Sequence, residues 1–343
     1  MAATLTLNRP PAITWHRLRA NGTTVELPGA AADTAREWLS ANATERRKLV
    51  CADGGETVVE IAARPGEIRA TALEVTVPAG VEAKLVIHTD GQGEGEREAA
   101  APSAGVAGVA CRVHAQAGSR LELELLQTLD GGFTYLEWLD LNLADGARVD
   151  VRQTVLGGAK SVVGTTANLA GENSAADFDV RYLGRGDAQL DFNYAFAQRG
   201  AGTTVDLAAS GILADESRKI FRDTIDLVHG CKGARGTEVE TVLLLGEGVS
   251  NISLPVILCD EDDVQGDHGV TIGHVDADQL QYLATRGLSE EQAEALFLEA
   301  VFDYALLHAS TASGRAAIRR LAAASGVAGD GDVAVSESSR EGE

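Results

Sequence analysis

LPVILCDEDDVQGDHGVTIGHVDADQLQYLATRGLSEEQAEALFLEAVF, residues 254–302, changes its apolar period midway, and that change divides the chain. Leu254 to Leu258 reads as an apolar strand ending at Cys259, and Val270 to Gly273 reads as a second strand. Between them lies a carboxylate-rich loop, Asp260 to Asp263, and a turn carrying His268. Beyond Gly273 the period lengthens from two to about 3.6, so helices follow strands. Cys259 and His268 stand nine positions apart in one strand-loop-strand unit, where a thiol and an imidazole can approach each other. The plain alternatives are a small buried apolar residue for Cys259 and an exposed turn histidine for His268. His274 shares a strand face with His268, but six residues at ~3.3 Å each place it about 20 Å away, too far to share a metal.

The chain has 343 residues, 51 acidic against 29 basic, and a net charge of −22. With no basic stripe to displace counterions from phosphate, nucleic acid is excluded as a partner, and an anionic membrane surface is disfavoured. No apolar run approaches the ~20 residues of a membrane span, and the N-terminus lacks a basic-then-apolar signal layout. A cytoplasmic protein is expected. Cys51, Cys111, Cys231 and Cys259 form no C-x-x-C pair, which leaves zinc ribbons and thioredoxin-type sites unsupported. The acidic loop lacks the glycine and closing glutamate of a helix-loop-helix calcium site. No phosphate-cradling glycine loop with a following lysine, Gly-x-Ser-x-Gly or His-Glu-x-x-His is found.

Residues 1–55 read as a small α/β cap: a strand at Thr23 to Leu27, a helix from Ala31 to Ser40, and Glu45 to Leu49 as a helical extension. From Glu56 the pattern is strands. A polar insertion, Gly91 to Gly105, reads as a mobile surface loop. Turns with Ala and Gly then precede alternating apolar runs, as at Gly118, Gly146, Gly171, Gly186 and Gly202, with a spacing that becomes regular in the later copies. A solenoid and a β-sandwich both explain this recurrence. Helices close the chain over 276–324: one through Leu283 with Gly287 as its left-handed stop, one opened by a Ser289/Gln292 capping box, and one over Ala312 to Ala324. The acidic tail 325–343 reads as disordered.

An ordered string within 262–287 resembles the C-terminal signature of the SufB/SufD proteins, scaffold components of SUF iron-sulfur cluster assembly. It comprises Asp262-Asp263-Val264, His268-Gly269, Thr271, Gly273, Asp278-Gln279-Leu280, Tyr282-Leu283 and Arg286-Gly287. A weaker likeness reaches back to Tyr182 through Ser217-Arg218-Lys219 and Gly236 to Leu245. The N-terminal helical region of longer relatives has no counterpart, so the chain resembles the short form. The resemblance implies a right-handed parallel β-helix over 56–275 and a scaffold role without turnover of its own. It also implies a transient iron-sulfur cluster, pairing of two β-helices as a homodimer or with a related SufB/SufD chain, and a SufC-type ABC ATPase docked on the C-terminal helices.

Within that family His268 matches a histidine of SufD-type proteins implicated in cluster nucleation. Two departures matter. The glutamate that follows the histidine in SufB-type scaffolds is Gly269 here, and their functional cysteine would fall near Glu240 by counting, where this chain has no cysteine. The candidate ligands are therefore His268, Cys259 and Glu261, with Glu240 as a possible oxygen donor and Cys231, beside His229, as an alternative thiol. For the ATPase, the helix from Ser289 is expected to set Ala293, Leu296, Phe297, Ala300, Val301 and Tyr304 on the β-helix. Leu298, Phe302 and Leu306 would then face the partner together with Tyr282, Arg286 and Gly287. Two rival readings remain: a structural SufD-like subunit with no ligands, and a β-helix carbohydrate-active enzyme using Asp262, Asp263 and Asp267.

Overall fold

The computed structural model describes residues 3–11, 20–29, 32, 34–91, 105–275 and 277–327. Strands β1 (Ala3–Leu7) and β2 (Thr23–Leu27) pair antiparallel, and helix α1 (Ala35–Ala41) follows with Thr34 as its N-cap. Two parallel sheets of eight strands make the body among the described residues. One holds β3 (Glu45–Val50), β5 (Glu67–Val77), β7 (Gly105–Ala115), β9 (Phe133–Leu143), β11 (Lys160–Leu169), β13 (Gln189–Gln198), β15 (Arg218–Leu227) and β17 (Ser250–Cys259). The other holds β4 (Gly55–Ala63), β6 (Glu82–Gly91), β8 (Arg120–Leu129), β10 (Arg148–Val155), β12 (Ala175–Gly184), β14 (Thr204–Ala214), β16 (Arg235–Leu245) and β18 (Gln265–His274).

Consecutive strands alternate between the sheets, and each pairs with the strands two before and two after it. The chain is thus a β-solenoid, and the sandwich is ruled out because its sheets would be antiparallel. Arg148 pairs with Ala175, Ala175 with Thr204 and Thr204 with Arg235, so one turn is two strands and two corners. The recurrence seen in the sequence is half a turn, one strand and its corner. Gly186, at φ 58°, makes one such corner in a left-handed conformation that a side chain would strain.

The core fills the space between the sheets. Val and Leu line the early turns, and Phe178, Tyr182, Phe192, Tyr194, Phe196 and Phe221 fill the later ones, Phe178 meeting Phe196 edge-on at 5.2 Å. Both outer faces are partly covered. Trp38 and Leu39 of α1, with Leu5, Leu7, Val25 and Leu27, pack on Ala70, Val106, Leu136 and Val162. Arg222 fastens this layer: it binds both Asp191 oxygens, at 2.8 and 3.0 Å, and donates to the Ala20 carbonyl. On the opposite sheet α3 (Glu290–His308) and α4 (Ala312–Ala324) cover Leu126, Leu156, Leu183 and Ile212. Helix α2 (Ala277–Thr285) precedes them, and Gly287 (φ 90°) and the Ser289/Gln292 capping box behave as expected.

Three expectations change. Glu45 to Leu49 is strand β3, not helix, because its backbone pairs with β5 from Thr71 to Thr76. The inward face of α3 is wider than expected: Ala293, Phe297 and Val301 pack inward and Tyr304 donates to Asp179, as that face implied. Leu298 and Phe302, however, are also buried with Ala305 against the sheet, Leu306 packs beside them, and Leu296 is 46% exposed. Apolar residues lie on more than one side of that helix, so no single stripe in its sequence selects the inward side. Leu298 and Phe302 are therefore core and cannot face a partner. Finally, order continues past Ser325, which caps α4, to Val327, which is buried. Residues 92–104 of the expected loop and 328–343 of the expected tail lie outside the described residues.

Candidate functional site at the open end

The two ends of the solenoid differ in chemistry. Edge strand β3 reads ERRKLV, and its charges block the pairing of further strands. Edge strand β17 reads SNISLPVILC, without a charged side chain; Pro255 alone removes a donor. Its neighbour across the interior, β18, is exposed along most of its length, with Val270 and Ile272 37% and 51% accessible.

Register decides which side chains this end presents, because in-register residues of parallel strands share a face about 5 Å apart. His268 pairs with Glu238 and Val270 with Glu240, and both glutamates are buried within the solenoid. His268, expected in a turn, thus lies within strand β18 on its inward face and is exposed because no further turn among the described residues covers it. Cys259 likewise pairs with Leu227, a core residue. A side chain at Gly266 would meet Ile257, so Cys259 lies two residues to one side of that point and His268 two to the other. Roughly 13 Å of strand separates them, at ~3.3 Å per residue. The expected approach of thiol to imidazole does not occur.

Two clusters form instead. At the corner, the Cys259 thiol donates to the Glu261 carbonyl at 3.3 Å, and the Glu261 carboxylate accepts from the Gly230 amide at 3.0 Å. Backbone donors, Gly230 first, hold the Glu261 carboxyl below its ordinary range, and His229 stands 3.8 Å away. Cys231 is buried below, its thiol pushed up by desolvation and then by the Glu261 charge, with Cys259 also near.

The second cluster lies one turn further in, on β15 and β16, beneath Ser253 of β17. Lys219 is ion-paired with Glu240 and donates to Ser253 at 3.2 Å. Glu240 also accepts from Tyr182 at 2.8 Å and from Ser253 at 2.5 Å. Gly211 makes room for this, since a side chain there would collide with the Tyr182 ring. Glu238 has no partner on either oxygen, and Asp223 none on Oδ2. Burial, then the neighbouring glutamates, push Asp223 up to about 9; burial, then Glu240, push Glu238 up to about 7. Each can hold a proton near neutrality and release it to a cation. Among the described residues no three His, Cys, Asp or Glu side chains converge as a metal site. Asp262 and Asp263 stand exposed on the loop, apart from this interior.

Asp223, Glu238 and Ser253 were not singled out in the sequence, and Lys219 only as part of the weaker likeness. Their signal is polar side chains at inward positions of otherwise apolar alternation, readable only once the register is known.

Comparison with known proteins agrees with this architecture. Residues 61–301 match the family model described as SUF system FeS cluster assembly, SufBD core domain. The chain belongs to the SufBD family. It is similar to the iron-sulfur cluster assembly protein SufD of Bacillus subtilis, 32% identical over 133 residues, which covers 39% of this chain and 30% of that protein. SufD of Escherichia coli is 26% identical over 161 residues, 47% of this chain and 38% of that protein. A SufBD family protein of Pyrococcus horikoshii is 29% identical over 144 residues, 42% of this chain and 32% of that protein. The matched segments thus span about a third of these SufBD relatives. No helix among the described residues is long and apolar enough to cross a membrane.

Proposed function

We propose that this SufBD chain is a scaffold component of iron-sulfur cluster assembly that pairs through its open C-terminal end. The uncharged, uncovered β17 edge carries this reading, because a strand edge left without charge is a template for another chain. Each chain brings His268, the Asp223/Glu238/Glu240 group and the Cys231/Cys259/Glu261 corner to that end. Because the described residues of one chain do not form a complete ligand set, the cluster cargo is held between two, a second copy or a related SufB/SufD chain. A SufC-type ABC ATPase docks on the helical side, where Tyr282 and Leu307 are 57% and 80% exposed. Arg286 stacks 5.1 Å over the Tyr282 ring, and Gly287 sets the bend between α2 and α3. The chain itself turns nothing over and works in the cytoplasm.

Anaerobic reconstitution of the paired protein with iron and sulfide tests the ligands. A thiolate-to-iron absorption band is expected, with iron content reduced in Cys259→Ser and His268→Ala. Unchanged iron in both variants removes the ligand assignment. A second reading, a SufD-like structural subunit without ligands, is favoured by glutamate rather than cysteine at position 240. It predicts no iron retention by the chain alone or paired with itself.

A further inference from the structure

Although the chain is strongly acidic, cationic side chains gather on the outer face of the β3-bearing sheet, beside α1. Two cavities of about 580 and 400 Å³ lie side by side there and share Arg36, Arg112 and Asp140. Arg199 lines the first, and Arg46, Arg47 and Lys48 line the second. Six cationic groups thus face three carboxylates, Asp140, Asp226 and Glu74, in a protein whose net charge is −22.

Lys48 is paired with Glu74 at 3.1 Å and Arg47 with Glu45 at 2.5 Å, and local pairing leaves part of the remaining charge unspent. Asp140 serves two guanidinium groups at once, Arg36 at 3.1 Å and Arg112 at 3.4 Å. The same carboxylate also accepts from Trp138 Nε1 at 2.9 Å and from Thr166. One carboxylate cannot neutralise two cations. Arg199 meets the Asn168 amide oxygen, at 3.2 Å, and Arg46 meets the backbone carbonyls of Ala43 and Ser40. Neither forms an ion pair among the described residues. The cavities are of small-molecule size, with apolar surface from the outward-facing Ala72, Ala195 and Ala197 and from Trp138.

We propose that this groove binds a small phosphorylated ligand, its phosphate held by Arg36, Arg112 and Arg199 and its organic part resting beside Trp138. Three guanidinium forks match the terminal oxygens of a phosphate, whereas a carboxylate offers only two. The acidic remainder of the surface repels anions in general, so binding has to come from the groove. Beyond a Debye length of about 8 Å that repulsion is screened at physiological salt. This site lies on the outer face of the solenoid, and the inference does not depend on cluster assembly.

Titration calorimetry of the full chain with inorganic pyrophosphate, and with citrate as a carboxylate of similar charge, tests it. Pyrophosphate is expected to bind one per chain and more tightly than citrate. Arg112→Gln and Arg199→Gln should each weaken it about tenfold, the usual worth of one charge-assisted contact. Arg120→Gln, on the opposite sheet, should leave it unchanged. Arg199 has so few contacts that its variant should fold normally, which circular dichroism will verify. Absence of pyrophosphate binding, equal affinity in Arg112→Gln and Arg199→Gln to that of the parent, or tighter citrate binding would overturn the proposal.

Discussion

The middle turns of the solenoid and its last turn share one strand pattern and opposite surroundings. Phe192 on β13 and Phe221 on β15 have turns on both sides, and their rings pack at 5.5 Å in complete burial. Ser253 and Ile257 on β17 occupy the next inward positions and are only partly covered. The same inward parity therefore gives sealed core in the middle and accessible chemistry at the end. In a solenoid each turn completes its neighbour, so an uncapped last turn either stays exposed at a cost or meets a partner.

The sharpest way to break this contrast is in the middle. Phe192→Ala should cost about 3–5 kcal/mol, read as a shifted denaturation midpoint, whereas Ile257→Ala should cost under about 2 kcal/mol. Equal losses would mean that the last turn is as well packed as the middle. Lys219→Met removes the cation paired with buried Glu240 and should cost about 3–5 kcal/mol, because the remaining charge has no solvent. A companion Lys219→Met/Glu240→Gln variant should recover much of it.

Phe302→Ala should cost about 3 kcal/mol, since the ring is buried against the sheet. Tyr282→Ala and Leu307→Ala should leave stability within about 0.5 kcal/mol and weaken ATPase binding instead. A stable Phe302→Ala would restore the outward-facing assignment of that ring.

The turn beneath the last should also be sensitive to pH. Asp223 has a folded value of about 9 against an ordinary 3.8, so folding favours its protonated form. Its contribution is fully present below about pH 4 and is lost progressively as pH rises towards 9. Glu238 acts in the same direction up to about 7. Urea midpoints should therefore fall from about pH 5 to about pH 9 in the parent and fall less in Asp223→Asn. Identical slopes would show that Asp223 is solvated in the folded protein.

Much of the fold was legible because alternation and corner glycines are local properties. The capping box at Ser289, the stop at Gly287 and the helix over Ala312 to Ala324 needed only neighbouring residues. Sheet type was not local: strands two apart pair across a whole turn of chain, and only the family resemblance favoured the solenoid. Strand β3 reads as helix in the sequence because Arg46, Arg47 and Lys48 hide its alternation, the same charges that guard its edge. The site was half legible. His268 and Cys259 were visible as residue types, yet their spacing along the chain said nothing of the gap that register sets between them. Glu238 and Asp223 were lost among 51 acidic residues until pairing placed them inside.

The central claim is that the β17 end is a pairing surface, and sedimentation tests it most directly. Leu254→Lys/Val256→Lys gives β17 the charged guard that β3 already has, at a stability cost of about 1 kcal/mol. The parent should sediment at twice the 35.7 kDa chain mass, or bind a related SufBD chain one to one, and the variant should do neither. A parent that stays at the single-chain mass alone and with the related chain would contradict the account, as would a lysine variant that pairs as well as the parent.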